Sequence, residues 1–406
     1  MKEIIPLHIG NCGTSMGLGF WENLNSEPIS EYSHIYYHES SSSNYTPRCI
    51  FANTNIISHN LISQSSNTFN PQNIFYQDLN TKTFPQGHYT KGPEIIINIL
   101  DLIRKEAEKC SSLQGFQIMH SLAGGCGSGL GTLILSKLKE EFPDKTCQNF
   151  TVLTSKKVSD CLFEPYNEIL GYYQLSQNSD YNEALFSICY NYLKINNVTY
   201  KEMNALRNQA IVDCTISYRN PGIICNTLKR TQTELVPFPN LHFISLSIAP
   251  VYYKDYIWGK NVPCDSLIFD VFNKRNLLCE CNLDNGKILN ATIVVRGNGQ
   301  KCDLVEGLRK VRLGKNRIFA DWVPDNLNGI YNDSFRVNAY NSAVLAANTT
   351  AISEVFKRML NNFSCIYGMR IFLRGYTVDG MDEMEFEEAD CALRELIEEY
   401  SMINCM

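Results

Sequence analysis

Apolar positions recur along the chain with two different periods. Glu3–Gly10 holds Ile4, Ile5, Leu7 and Ile9 in a short, nearly continuous apolar run, which predicts a buried strand. A glycine turn follows, Gly10-Asn11-Cys12-Gly13, and then Met16, Phe20 and Leu24 at helical spacing. Strand, glycine turn and helix in that order open a nucleotide-binding α/β unit. Residues 25–90 are rich in Ser, Asn and Thr with weak periodicity and predict loops and short strands. Over 93–109, Ile96, Leu100, Ile103 and Ala107 fall on one helical face, with Pro93 suited to the first turn. A strand is expected at Gly115–Ser121, a loop at Ala123–Gly129, a helix to Glu141 and a strand at Asn149–Thr154. This alternation predicts an α/β fold with a parallel sheet covered by helices.

Further along, Met203, Leu206, Ala210, Cys214 and Tyr218 predict a helix over 199–218, stopped by Pro221-Gly222. Strands are expected at Leu241–Ile248 and Ile288–Arg296. Near the end, Phe386, Ala389, Leu393, Leu396, Tyr400 and Ile403 form one stripe on an otherwise acidic helix, which reads as a core face.

Composition narrows the function classes. In 406 residues, 44% hydrophobic and 19% charged content supports a substantial core. The net charge of −6 and the lack of a Lys/Arg-rich run argue against a nucleic-acid partner. No apolar stretch approaches the roughly 20 residues needed to span a bilayer, and no secretory leader opens the chain. The expectation is a soluble, cytosolic chain with no membrane partner. The 16 cysteines are scattered without a CxxC pair, so they read as small buried apolar residues.

The most informative stretch is Ser121-Leu122-Ala123-Gly124-Gly125-Cys126-Gly127-Ser128-Gly129. It follows a strand and opens a helix. Glycines let backbone N–H groups approach phosphate oxygens, and the helix dipole adds to the attraction. Ser128 adds a hydroxyl donor. It is not a Walker A loop, and it does not fit GxGxxG. Taken alone it is either a tight strand-to-helix turn or a phosphate cradle. A second glycine-rich helix start at Gly10–Gly13 favours the cradle.

This loop resembles the tubulin signature Gly-Gly-Gly-Thr-Gly-Ser-Gly. The likeness extends to Gly87-His88-Tyr89-Thr90, Arg104-Lys105-Glu106-Ala107-Glu108, Leu113-Gln114-Gly115-Phe116-Gln117, Lys157-Val158-Ser159-Asp160, Glu164-Pro165-Tyr166-Asn167, Asn182-Glu183-Ala184-Leu185, Val236-Pro237-Phe238-Pro239 and Gly380-Met381-Asp382-Glu383-Met384-Glu385-Phe386. These follow one another in the family's order over nearly the whole chain. The resemblance is to β rather than α: the opening Met1-Lys2-Glu3-Ile4 is β-like, Trp322–Thr350 lacks an α-type insertion, and Arg230 stands where α carries its catalytic Glu.

The resemblance implies a tubulin-like fold: a Rossmann-type nucleotide-binding domain (1–198), a central helix (199–219), an α+β intermediate domain (220–347) and C-terminal helices (348–406). It implies a GTPase in the cytoplasmic microtubule cytoskeleton, with no catalytic residue in cis, its acid coming from an α-tubulin-type neighbour. It also implies longitudinal and lateral tubulin contacts. For the site it implies GTP or GDP, with Gly10, Asn11 and Cys12 at phosphates and ribose. Ser121, Gly124, Gly125, Cys126, Gly127 and Ser128 would wrap the phosphates, and Val158, Ser159, Asp160 and Glu164 would lie along the ribose. Asn182 and Asn204 would meet guanine, with Tyr200 stacked on it; singly, Asn182 also reads as a helix cap and Tyr200 as core.

The chain departs from the family at several points. Asn11 stands for Gln and Cys126 for Thr. Asn55, within Phe51-Ala52-Asn53-Thr54-Asn55, replaces an acid near the metal, so Mg²⁺ would rest weakly on Asn11 and Asn55, with Lys82 as a substitute charge in Leu79-Asn80-Thr81-Lys82-Thr83, the loop that the resemblance puts at the γ-phosphate. Gly222–Thr227 lacks the interface Asn and Asp. The sequence stops at Met406 without a Glu-rich tail, which implies no tail-dependent partners. An alternative is a hydrolysis-poor protein of this fold that caps or templates a microtubule structure; an α/β dehydrogenase is a third reading.

Overall fold

The structure, a computed structural model, describes residues 2–28, 33–39, 45–65, 68–154, 161–185, 199–220, 227–251, 262–297, 301–334 and 341–405. In chain order its strands are β1 (Glu3–Ile9), β2 (Tyr37–Glu39), β3 (Tyr45–Pro47), β4 (Ile50–Asn53), β5 (Ile74–Tyr76), β6 (Leu113–Ser121), β7 (Thr146–Val152), β8 (Tyr181–Leu185), β9 (Phe243–Ala249), β10 (Ile288–Gly297), β11 (Leu327–Asn332) and β12 (Asn341–Thr349). Its α-helices are α1 (Gly10–Asn25), α2 (Ile56–Gln64), α3 (Lys91–Glu108), α4 (Gly131–Glu141), α5 (Glu164–Asn178), α6 (Tyr200–Cys214), α7 (Ile216–Arg219), α8 (Leu228–Leu235), α9 (Cys264–Asp270), α10 (Lys301–Gly314), α11 (Ser353–Gly368), α12 (Leu373–Thr377) and α13 (Met384–Cys405). Two units result. The first gathers Met1–Leu18, Ser33–Asn182 and Phe356–Glu398; the second gathers Gly19–Tyr32, Glu183–Val355 and Glu399–Met406.

The first unit is built on parallel strands in the order β7-β6-β1-β4-β5. Leu7 of β1 sits between Ile50 of β4 and Ile118 of β6. Every residue of β1 is buried, as its apolar run requires of a strand covered on both faces. The carboxylate of Glu3 survives there because it accepts from the Ser111 and Ser112 amides at 3.1 and 2.8 Å. β7 is just as buried yet polar, and its side chains are tied across the sheet. Gln117 accepts from the Tyr36 hydroxyl and donates to Gln148, each at 2.6 Å, and Asn149 donates to Asn182 at 3.0 Å. This polarity hides the strand's first half from apolar patterning, so the expected start at 149 moves back to Thr146.

Helix α3 buries Ile96, Leu100 and Ile103 as its spacing predicts. On α13, Phe386, Ala389, Leu393 and Leu396 are buried, and the stripe is core. Phe386 lies 5.1 Å from the Tyr166 ring and 5.5 Å from that of Tyr376, which builds an aromatic cluster under α5. Within the stretch expected to be loops and short strands, the structure forms α2, capped by Asn55, whose side chain accepts from the Ile57 amide at 2.8 Å.

The second unit holds a mixed sheet, β9-β12-β10-β11. The β9/β12 and β12/β10 pairs are antiparallel and β10/β11 is parallel. Ile293, Val295 and Leu345 from the sheet pack with Leu267 and Ile268 of α9 in one apolar cluster. The long helix expected over 199–218 breaks at Thr215 into α6 and α7; the Thr215 hydroxyl donates back to the Ile211 carbonyl at 2.8 Å. Arg296, 2% exposed, donates to Glu27 at 2.7 Å and to Asp213 at 3.1 Å, and Arg219 also pairs with Glu27. Burial alone would push the Glu27 carboxyl up; the two guanidiniums outweigh it and hold it below its ordinary value. No described helix is long and apolar enough to cross a membrane.

Candidate functional site

Parallel strands bring their carboxyl ends to one edge, and in the first unit the loops after β1, β4 and β6 meet there. At the end of β1, Gly10 has φ +71°, in the left-handed region that favours glycine. A Cβ there would meet Cys126 Sγ at 3.4 Å, an ordinary contact, so the positive φ that turns the chain into α1, and not lack of space, is what calls for glycine. Helix geometry leaves the first-turn amides of α1 without intrahelical acceptors. After β6, the Ser121 hydroxyl donates to the Val152 carbonyl at 3.1 Å and accepts from the Ala123 amide at 3.3 Å. The chain then turns through Cys126–Leu130 into α4, giving a second helix start on the same edge. A Cβ on Gly125 would be 2.2 Å from the Thr83 carbonyl, so the loop before α3 is pressed onto the glycine loop.

Three side chains hold this loop from behind. His120 Nδ1 is 2.8 Å from the Gly127 carbonyl and therefore donates to it. Burial lowers the His120 pKa to about 4, so the ring is neutral and its Nε2 accepts from Thr151 at 3.3 Å. His88 Nδ1 donates likewise to the Gly129 carbonyl at 3.2 Å, and burial lowers its pKa too. Asn167, 1% exposed, uses its whole amide. It donates to the carbonyls of Lys82 and Ala123 at 3.0 and 2.9 Å and accepts from the Phe84 amide and the Tyr376 hydroxyl at 2.7 and 2.8 Å.

The loops enclose a cavity of about 200 Å³. Of the residues expected at a nucleotide, Gly10, Asn11, Cys12, Asn55, Ser121, Gly124, Cys126 and Gly127 line it. Ile9, Thr54, Asn80, Thr81 and Ala123 complete the described lining. Thr54 and Thr81 join the two loops by a hydroxyl–hydroxyl bond of 2.8 Å. The Cys126 thiol lies against both; burial holds its pKa above the ordinary value, opposed by those hydrogen bonds.

Other expected residues lie elsewhere. Gly125 and Ser128 sit behind the lining, and the Ser128 hydroxyl donates to the Gly124 carbonyl at 2.9 Å, shaping the loop instead of facing the cavity. Glu164 is half-buried at the start of α5. Asn182 is buried in β8, not at a helix start, with its amide tied to Asn149 and to the Ser179 hydroxyl. In the second unit, Asn204 is buried and accepts from Arg207 at 2.8 Å, and Tyr200 is 63% exposed on the first turn of α6. Val158, Ser159 and Asp160 fall outside the described residues, as does 222–226 of the interface loop. Lys82 is exposed and off the lining.

Chemically, the described lining offers neutral N–H and O–H donors with apolar patches at Ile9 and Ala123. That set suits phosphate oxygens. It does not suit a divalent metal. Its oxygens are amides, hydroxyls and carbonyls with no carboxylate among them, and the Asn55 and Asn11 amide oxygens each already accept a hydrogen bond, from the Ile57 amide and the Ser58 hydroxyl. Among the described residues, no three His, Cys, Asp or Glu side chains converge on a possible ion. His120, His88 and Asn167 escaped sequence reasoning as site residues, although His88 and Asn167 lie in segments that carry the resemblance; Thr54 and Thr81 lie in the two loops, Phe51–Asn55 and Leu79–Thr83, that the resemblance puts at the metal and the γ-phosphate.

Residues 3–190 match the Tubulin/FtsZ family GTPase domain, and residues 239–361 match the tubulin C-terminal domain. The chain is 37% identical to a tubulin beta chain of Candida albicans over 98% of its own length and 94% of the relative's. It is 36% identical to the tubulin beta-1 chain of Chondrus crispus and 35% identical to a tubulin beta chain of Encephalitozoon intestinalis, with 98% of this chain covered in each case and 93% and 96% of those relatives.

Proposed function

The chain belongs to the tubulin family, and on that premise we propose that it is a β-type subunit holding GTP or GDP in the cavity of its first unit. The observation that carries this reading is the meeting of two glycine-bearing helix starts, after β1 and β6, on one wall of neutral donors. Gly10, Asn11, Cys12, Gly124, Cys126 and Gly127 would present their backbone groups to the phosphates, with Val158, Asp160 and Glu164 toward the ribose. Asn182, Asn204 and Tyr200 would recognise guanine by amide donors and acceptors and by an aromatic face. The domain organisation goes with this: nucleotide-binding domain 1–198, central helix 199–219, intermediate domain 220–347, C-terminal helices 348–406.

The described lining has no carboxylate or imidazole to activate water. We assign hydrolysis to the seam with an α-tubulin-type subunit, which would supply the acid, as the resemblance implies. An exposed apolar stretch supports such a partner: Met369, Ile371, Phe372 and Val378 are 70, 37, 45 and 73% exposed between α11 and α13. We place the subunit in cytoplasmic microtubules, with longitudinal and lateral tubulin contacts. The test is GTP turnover by the purified chain alone and with added α-tubulin. Stimulation by the partner is the expected result; bound nucleotide that stays intact in both arms would refute hydrolysis at the seam.

A further inference from the structure

Phosphate groups bring negative charge into a protein, and something must offset it. No described residue lining the cavity carries a charge. A divalent cation held by the protein would want anionic oxygen, and the described lining has none: its oxygens are neutral amides, hydroxyls and carbonyls, and the Asn55 and Asn11 amide oxygens each already accept a hydrogen bond, from the Ile57 amide and the Ser58 hydroxyl. Positive charge reaches the cavity from behind. Lys91, the half-buried first residue of α3, gives its ammonium to the Leu79 carbonyl. The next two residues, Asn80 and Thr81, line the cavity. Asn80 turns the chain there with φ +43°, and Thr81 is bonded to Thr54 across the cavity wall. Lys91 enters no ion pair among the described residues. Its charge is therefore not neutralised by a carboxylate.

We propose that Lys91, instead of a divalent cation held by the protein, offsets the charge of the bound phosphates in this chain. The inference rests on the reading of the cavity as a guanine-nucleotide site. A unit charge within roughly 10 Å of a phosphate, partly shielded from solvent, is worth about a factor of ten in affinity.

The experiment titrates GTP and GDP into the nucleotide-stripped full chain by calorimetry, with excess magnesium chloride or with excess EDTA. Affinities within about threefold of each other in the two conditions are expected. Lys91→Gln keeps an N–H donor for the Leu79 carbonyl but removes the charge. It should weaken both nucleotides about tenfold with an unchanged thermal midpoint, and Lys91→Arg should bind as the parent does. A loss of more than tenfold in EDTA, or parental affinity in Lys91→Gln, overturns the proposal and leaves the nucleotide site standing. Absence of binding to either nucleotide under both conditions removes the site itself, and the role of Lys91 with it.

Discussion

Replacing Asn167 by Asp changes one atom of a saturated amide, and the structure sets the cost. The new carboxylate keeps the shape and still accepts from the Phe84 amide and the Tyr376 hydroxyl. It loses both donors, and its second oxygen now faces the carbonyls of Lys82 and Ala123, formerly 3.0 and 2.9 Å from an N–H. Each acceptor left without a donor in a buried setting costs about 1–3 kcal/mol, so the two together cost about 4 kcal/mol with the carboxylate ionised. Burial beside carbonyl dipoles raises the new carboxyl's folded pKa above its unfolded value of about 4. The proton is then bound more tightly in the folded state, and stability is lost as pH rises through the folded pKa. Protonation restores one O–H donor, so about half of the penalty should vanish between about pH 8 and pH 5.5. Urea denaturation of the parent, Asn167→Asp and Asn167→Ala at both pH values measures this. Asn167→Ala has nothing to protonate and should show no recovery. A penalty below about 1 kcal/mol, or an equal penalty at both pH values in Asn167→Asp, would refute the clamp.

Glu168 gives a second pH test. Burial raises its pKa from 4.5 to about 7 against the opposing bonds from Thr154 at 2.8 and 2.5 Å. The parent should therefore lose about 3 kcal/mol of stability as pH rises from 4.5 to about 7, of which about 2 kcal/mol falls above about pH 5.5, and Glu168→Gln should lack that slope when denatured over the same range. Gly10→Ala places a methyl against Cys126 Sγ at a positive φ; a loss of about 1–2 kcal/mol and a clear drop in nucleotide affinity by calorimetry are expected. Arg296→Met leaves Asp213 and Glu27 buried without their shared cation, and thermal unfolding should show a loss of about 3–5 kcal/mol.

The parts of the fold that sequence reasoning reached are those where one physical requirement governs consecutive residues. β1 is covered on both faces, so its apolar run is continuous; α3 has one buried face, so its apolar residues recur every three or four positions. The glycines of the site were legible because they cluster where a strand turns directly into a helix; Gly13, Gly125 and Gly127 leave no room for a Cβ and Gly10 has a positive φ, whereas Gly124 has open space. α2 was not legible: Ile56, Ile57 and Leu61 are exposed while Ser58 is buried, which inverts the usual pattern. Asn80 and Thr81 were legible only through the resemblance, as part of the loop Leu79–Thr83, because a loop carrying a positive-φ asparagine has no period to read; Lys91 was not legible, because its contact with the Leu79 carbonyl exists only in the fold. The Glu27–Arg219–Arg296–Asp213 cluster joins residues that only the fold brings together. The polar half of β7 was missed because its side chains satisfy one another across strands, which single-chain patterning cannot register.

The make-up of the first unit also bears on synthesis. Its strands and glycine loop are finished by Asn182, yet the Tyr376 hydroxyl that completes the Asn167 clamp and the Phe386 ring that seats Tyr166 come from the last stretch of that unit, Phe356–Glu398. A chain leaving the ribosome therefore exposes an unfinished apolar face under α5 until almost all of it has been translated. Closure between segments this far apart is slow, and the waiting face is prone to aggregation. Truncated nascent chains ending before residue 356 should accordingly be held by a chaperone or lost, even though every strand of the nucleotide edge has already been made.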